Sequence, residues 1–79
     1  MGVRWKDGYS AHVEIHLQLD GERVRVAQLG PDFFILRAFR RIPPETAAVI
    51  VLKIDDHEEE RQVFIHRGTL PGVRRVEYI

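Results

Sequence analysis

Alternation of apolar and polar side chains sets in at His12. In HVEIHLQL, Val13, Ile15, Leu17 and Leu19 alternate with His12, Glu14, His16 and Gln18, the two-residue period of a strand that buries one face. Asp20-Gly21 follows, and Arg23, Val24, Arg25 and Val26 resume the alternation. An Asp-Gly pair between two such runs predicts a two-residue hairpin, because a tight primed turn needs positive φ at both central residues. Closure there sets Leu19 opposite Glu22, Leu17 opposite Val24 and Ile15 opposite Val26, stacking apolar on apolar.

The pattern then continues in short runs. Leu29-Gly30-Pro31-Asp32 is a turn cluster. Phe33 to Phe39 interleaves Phe34, Leu36 and Ala38 with Phe33, Ile35, Arg37 and Phe39, which predicts a strand covered on both faces. Arg40 to Thr46 is a connector, since Pro43-Pro44 is excluded from a sheet interior. A helix opening at Pro44 is the alternative, but the β-branched residues of Val49 to Ile54 favour a strand over Ala47 to Ile54. Asp55 to Glu60 reads as a charged hairpin loop containing His57, and Gln62 to His66 as a strand with Val63 and Ile65 inward. After a turn at Gly68 to Gly72, Val73 to Ile79 forms a last strand anchored by Val76 and Tyr78. Residues 1–10, with Trp5 and Tyr9, read as an extended lead-in across one end or as a loose tail. Residues 11–79 form one domain. Six strands joined by short links need a second face to bury against, so the expected fold is all-β, a small closed or partly open antiparallel β-barrel of about six strands.

Composition narrows the function. Of 79 residues, 44% are hydrophobic and 30% charged, an ordinary globular balance. A chain this short has few residues to spare from its core for a deep catalytic cleft. The 12 basic and 12 acidic side chains cancel, which argues against extended nucleic acid as a partner. Ten of the bases are arginine, however, so a local basic patch survives overall neutrality. Cysteine is absent, which excludes disulfides, thiolate chemistry and Cys-ligated zinc or iron–sulfur sites and suits a reducing compartment. MGVRWKDGYS lacks the apolar core of a signal peptide, and the longest apolar run, Ala47 to Leu52, is far too short to span a membrane. A cytoplasmic domain with no membrane partner is expected.

The order of elements carries a resemblance. A hairpin closed by a glycine leads to a strand ending near Ala27-Gln28-Leu29-Gly30 and a strand Phe34-Ile35-Leu36-Arg37. A Pro-Pro connector, strand 47–54, a polar turn and strand 62–66 follow. Over about two thirds of the chain this resembles the small β-barrel of PilZ-type domains, which implies the barrel. Those domains typically bind cyclic di-GMP through an arginine-rich segment before the first barrel strand and an Asp-x-Ser-x-x-Gly motif after the second. Here Arg4 stands without paired arginines, and AQLGPDF follows Val26 with neither aspartate nor serine in place. Only Gly30 matches a glycine of that turn, and no ligand role is carried over to it. VEIHLQLDG and VFIHRG are also similar to strand signatures of Sm-like RNA-binding rings, a lesser similarity that the Pro-Pro segment and long strand 47–54 interrupt.

The candidate chemistry is sparse. His12, Glu14 and His16 share a strand face, but same-face neighbours stand about 7 Å apart and the two histidines about 13 Å. One zinc ion, with ligands at about 2 Å, cannot take both unaided. No metal site is assigned, and His57 and His66 read as surface residues. Asp55, Asp56, Glu58, Glu59 and Glu60 crowd one charged stretch without the sheltered pairing that acid–base catalysis requires or the turn glycine of a calcium loop. Ser10 is the only serine and lies outside any strand–turn–helix elbow. Lys6 and Lys53 follow no phosphate-binding glycine loop. Neither catalysis nor a cofactor is expected.

Arginine is the strongest signal. Arg37, Arg40 and Arg41 cluster at the end of the third strand, Arg23 and Arg25 share the outer face of the second, and Arg67, Arg74 and Arg75 flank the last turn. Guanidinium groups grip phosphate bidentately and stack on bases. With Phe39 or Tyr78 beside them, Arg37, Arg40 and Arg41 would make a rim for a nucleotide or single-stranded RNA. The plainer reading has Arg23 and Arg25 pairing across strands with the neighbouring Glu14 and Gln18 while the others are solvated. The leading expectation is a non-enzymatic interaction module acting through a protein partner or as a homo-oligomer, with surplus apolar residues of 33–39 and 47–54 as the contact. Binding of a nucleotide or single-stranded nucleic acid at the arginine rim is the alternative.

Overall fold

A computed structural model describes residues 13–79. The lead-in expected over residues 1–10, together with His12, lies outside the described residues. Six strands form the fold: β1 (Val13–Leu19), β2 (Glu22–Leu29), β3 (Phe33–Leu36), β4 (Thr46–Ile54), β5 (His57–Ile65) and β6 (Arg75–Glu77). They lie in the order β5-β4-β1-β2-β3-β6, and every pairing is antiparallel. The fold is the expected one, a partly open all-β half-barrel.

The β1–β2 hairpin is closed by Asp20 (φ 51°) and Gly21 (φ 78°), which sets Leu19 opposite Glu22 and Leu17 opposite Val24 as expected. The ladder stops at His16–Arg25, however, so the expected Ile15–Val26 pair lies beyond the last one formed. At Val26 the second strand leaves β1 to pair with β3, and between Val26 and Gln28 the register slips at a bulge. The extra residue, Ala27, shifts the inward parity from Val24 and Val26 to Leu29, which packs on the core.

Inside the curl, Leu17, Phe34, Leu36, Ile42, Ile50 and Ile65 are almost fully buried. Two connections cross between non-adjacent strands and brace each other. The Ile42 N–H donates to Thr69 Oγ1 (2.8 Å), the Thr69 N–H to the Ile42 carbonyl (2.9 Å), and the Glu45 N–H to the His66 carbonyl (3.0 Å). The outer edges meet at one place. Phe64 donates to the Ile79 carbonyl at 2.9 Å and Ile79 donates back at 3.0 Å, the reciprocal exchange of a bonded antiparallel pair. Tyr78 fixes that end, its ring stacked 6.0 Å from Phe34 and its hydroxyl donating to the Gly30 carbonyl at 2.9 Å.

Three expected boundaries are corrected. The charged loop at Asp55 to Glu60 shrinks to Asp55-Asp56. Asp55 accepts φ 54° and the turn closes in two residues, with Ile54 opposite His57. His57 to Glu60 therefore lie in β5, an edge strand whose polar side chains reach water from either face. The run Phe33 to Phe39 is a strand only as far as Leu36, because β6 offers three residues to pair against it. Its outer face, Phe33 and Ile35, is only half-buried, and Phe39 is 43% exposed. The last strand is likewise shorter than Val73 to Ile79, although Val76 and Tyr78 are buried as expected.

Gly68 shows how tightly the connections are braced. It takes φ +76°, and a Cβ there would lie 2.5 Å from the Ile42 carbonyl oxygen and 2.8 Å from backbone atoms of Pro43 and Pro44. Gly72 takes φ +75° with nothing near. Gly72→Ala is expected to cost about 1 kcal/mol of backbone strain, and Gly68→Ala about 3 kcal/mol or more. Urea unfolding of the two variants checks this, and equal losses would contradict the bracing.

Candidate functional site

The register aligns side chains from four strands and the exit of a fifth in one row across the outer face. Glu60 stands opposite Val51, Val51 opposite His16, and His16 opposite Arg25. The Arg37 N–H donates to the Arg25 carbonyl at 3.1 Å, which continues the row past β3. Leu17, Val26 and Leu36 point into the core, so His16, Arg25 and Arg37 point out. Adjacent strands are spaced about 4.8 Å apart, which places Arg25 between His16 and Arg37 at close range. Arg23, paired with Gln18, occupies the same face two residues away. The outer face carries Glu58 and Glu60 on β5 and Arg23, Arg25 and Arg37 on the opposite side, with Lys53 and Glu14 between them.

The row borders an opening. Beyond His16–Arg25, β1 continues along β4 to Val13 while β2 turns toward β3. The resulting fork is a cavity of about 650 Å³ lined by Glu14, His16, Arg23, Arg25, Ala27 and Arg37, among others. Among the described residues no carboxylate forms an ion pair with Arg23, Arg25 or Arg37. His16 Nε2 is buried without a hydrogen-bond partner among the described residues. Burial holds the His16 imidazole below its ordinary pKa of 6.5, helped by the Arg23 charge and opposed by Glu58 and Glu14. A larger cavity, about 800 Å³, lies where the β1–β2 turn approaches Phe64 and Ile79, but the cations do not converge there.

The arginines expected to form a rim do not act as one group. Arg37 joins Arg23 and Arg25 at the fork. Arg40 instead forms an ion pair with Glu22 beside the β1–β2 turn. Arg41 is exposed, and Phe39 stands on the exposed stretch that follows β3. Tyr78, offered as a second rim aromatic, is 6% exposed and committed to the core. Arg74 donates to the Arg37 carbonyl at 3.2 Å, and Arg75 lies 4.4 Å over the Phe33 ring while bonding Glu77 at 3.1 Å. His57 meets Glu59 at 3.4 Å in β5. Arg25 faces His16, where the plain reading had Glu14 as its neighbour. His16 itself was legible only as one member of a polar row.

Among the described residues no group of three or more histidines and carboxylates is placed to hold a metal ion, and no helix is long and apolar enough to cross a membrane. No protein-family model, curated protein or solved structure matches the chain.

The His16 environment has a measurable consequence. With its folded pKa below 6.5, the unfolded chain binds a proton that the folded chain refuses between the two values. Stability is therefore full above the unfolded pKa, falls as pH drops through 6.5, and levels off below the folded value. In an NMR titration, Arg23→Gln should move the His16 pKa up toward 6.5 and Glu58→Gln should lower it further. An unmoved midpoint in both variants would contradict this electrostatic account.

Proposed function

We propose that this domain is a non-enzymatic interaction module that acts by self-association, with the free edge of β5 as the contact. The observation that carries this reading is the direction of the β5 backbone. Phe64 turns its N–H and C=O away from β4 to meet Ile79, so residues two, four and six positions earlier turn the same way. Gln62, Glu60 and Glu58 present their backbone groups outward, and no described strand pairs with them. Such an edge is a template for another strand.

A second copy fits it. Antiparallel pairing about a two-fold axis at Glu60 sets Glu58 against Gln62 and, twice, Glu59 against Arg61 of the other copy. The Glu59–Arg61 pairs fall at non-bonded positions, where side chains approach closest. Glu59 and Arg61 share the face of Leu52 and Ile50, their partners on β4. Val13 and Ile54 pair there too and stay 51% and 37% exposed, so the contact would also bring exposed apolar surface beside the junction. Its one unfavourable element is Glu60 facing Glu60.

Sedimentation velocity over a range of concentrations tests the arrangement. A monomer–dimer equilibrium is expected, weakened by Glu59→Arg, recovered in Glu59→Arg/Arg61→Glu, and strengthened about fivefold by Glu60→Gln through loss of the like-charge contact. A wild-type monomer at every concentration would overturn the proposal and leave the charges of β5 as protection of an edge.

A further inference from the structure

A separate inference comes from the fork. Three guanidinium groups, Arg23, Arg25 and Arg37, line one cavity of about 650 Å³, and among the described residues none has a carboxylate partner. Surface arginines usually find carboxylates or spread apart, because like charges held within a few ångströms repel. Here the register anchors Arg37 beside Arg25 through a backbone bond and sets His16 opposite Arg25 across the ladder. An anion relieves that repulsion, and guanidinium forks bind phosphate oxygens in pairs. Independently, His16 Nε2 in the same cavity is buried with no hydrogen-bond partner among the described residues. A buried polar atom of this kind needs a partner that the described residues do not supply.

The lining also narrows the ligand. The cavity falls within the size range of small-molecule sites, about 300–1,000 Å³, so it holds more than a bare phosphate. Among the described residues no aromatic side chain lines it, and none of them offers a base a ring to stack on. His16 Nε2, in the same lining, suits a ligand hydroxyl. We propose that the fork between β1 and β2 binds a phosphorylated, hydroxyl-bearing small molecule of the sugar-phosphate class. Arg25, Arg37 and Arg23 take the phosphate, and His16 Nε2 meets a ligand hydroxyl.

The test is titration of the full chain with ribose 5-phosphate, ribose, AMP and inorganic sulfate, read by amide and imidazole NMR shifts at physiological salt, where loose ion condensation is screened. Ribose 5-phosphate is expected to saturate with shifts confined to the neighbourhood of His16, Arg25 and Arg37. Ribose alone should not bind, and sulfate should bind the same residues more weakly. Arg25→Ala and Arg37→Ala should each weaken ribose 5-phosphate at least about tenfold, while Arg67→Ala should leave it within about twofold. Unchanged thermal midpoints would separate loss of binding from loss of fold, and His16→Gln provides a further variant if an arginine substitution unfolds the chain. Absence of saturable binding would overturn the proposal. So would an equal loss in Arg67→Ala, or AMP binding more than about tenfold tighter than ribose 5-phosphate.

Discussion

Closure of the sheet at Phe64 and Ile79 is the constraint on which the rest depends. The bonds themselves are modest, two backbone contacts of 2.9 and 3.0 Å contributing about 1 kcal/mol each. Their weight lies in what they hold in place. Tyr78 precedes Ile79, stacks on Phe34 and caps Gly30, and Val76 fills the core from β6. Burying side chains of that size contributes about 2 kcal/mol apiece, so the contact matters mainly as the clasp that keeps the short β6 over the core.

The same constraint decides where the surface is left unfinished. β4 and β5 each run for nine residues, but β3 has four and β6 three. Curling such unequal strands until their edges meet at one residue pair leaves most of β5 as a free edge. On the other side, β2 serves two neighbours in succession, β1 up to Arg25 and β3 from Val26 onward. The bulge at Ala27 lets it turn without losing Leu29 from the core. Divergence of β1 and β2 at that point opens the fork, and the outward parity of His16, Arg25 and Arg37 lines it with nitrogen. Free edge and cationic fork are thus two results of one geometry, on opposite sides of the outer face.

Much of the fold was legible in the sequence. Asp20-Gly21 specified the first hairpin and two of the three expected pairs, because turn chemistry and period agreed there. Val76 and Tyr78 could be named as anchors from alternation alone. The charged stretch after Ile54 was misread because strand period is carried by apolar residues, and an edge strand tolerates His57, Glu58, Glu59 and Glu60 in succession. The site was only half legible. The hairpin register already implied that His16 faces Arg25, but Arg37 reaches Arg25 only through the bulged β2–β3 register, and a bulge at Ala27 leaves no mark that composition reveals. Arg40 looked like a partner of Arg37 because the two are close in sequence. Where the chain leaves β3, Glu22 takes it instead.

Native-state hydrogen exchange at the Phe64 and Ile79 amides tests the closure most directly. Both should exchange with a protection close to that of Leu17 and Ile50 in the core ladder, opening only when the whole domain unfolds. Exchange of the Ile79 amide at the rate of a free C-terminal peptide, with the Leu17 and Ile50 amides still protected, would show that the edges do not meet.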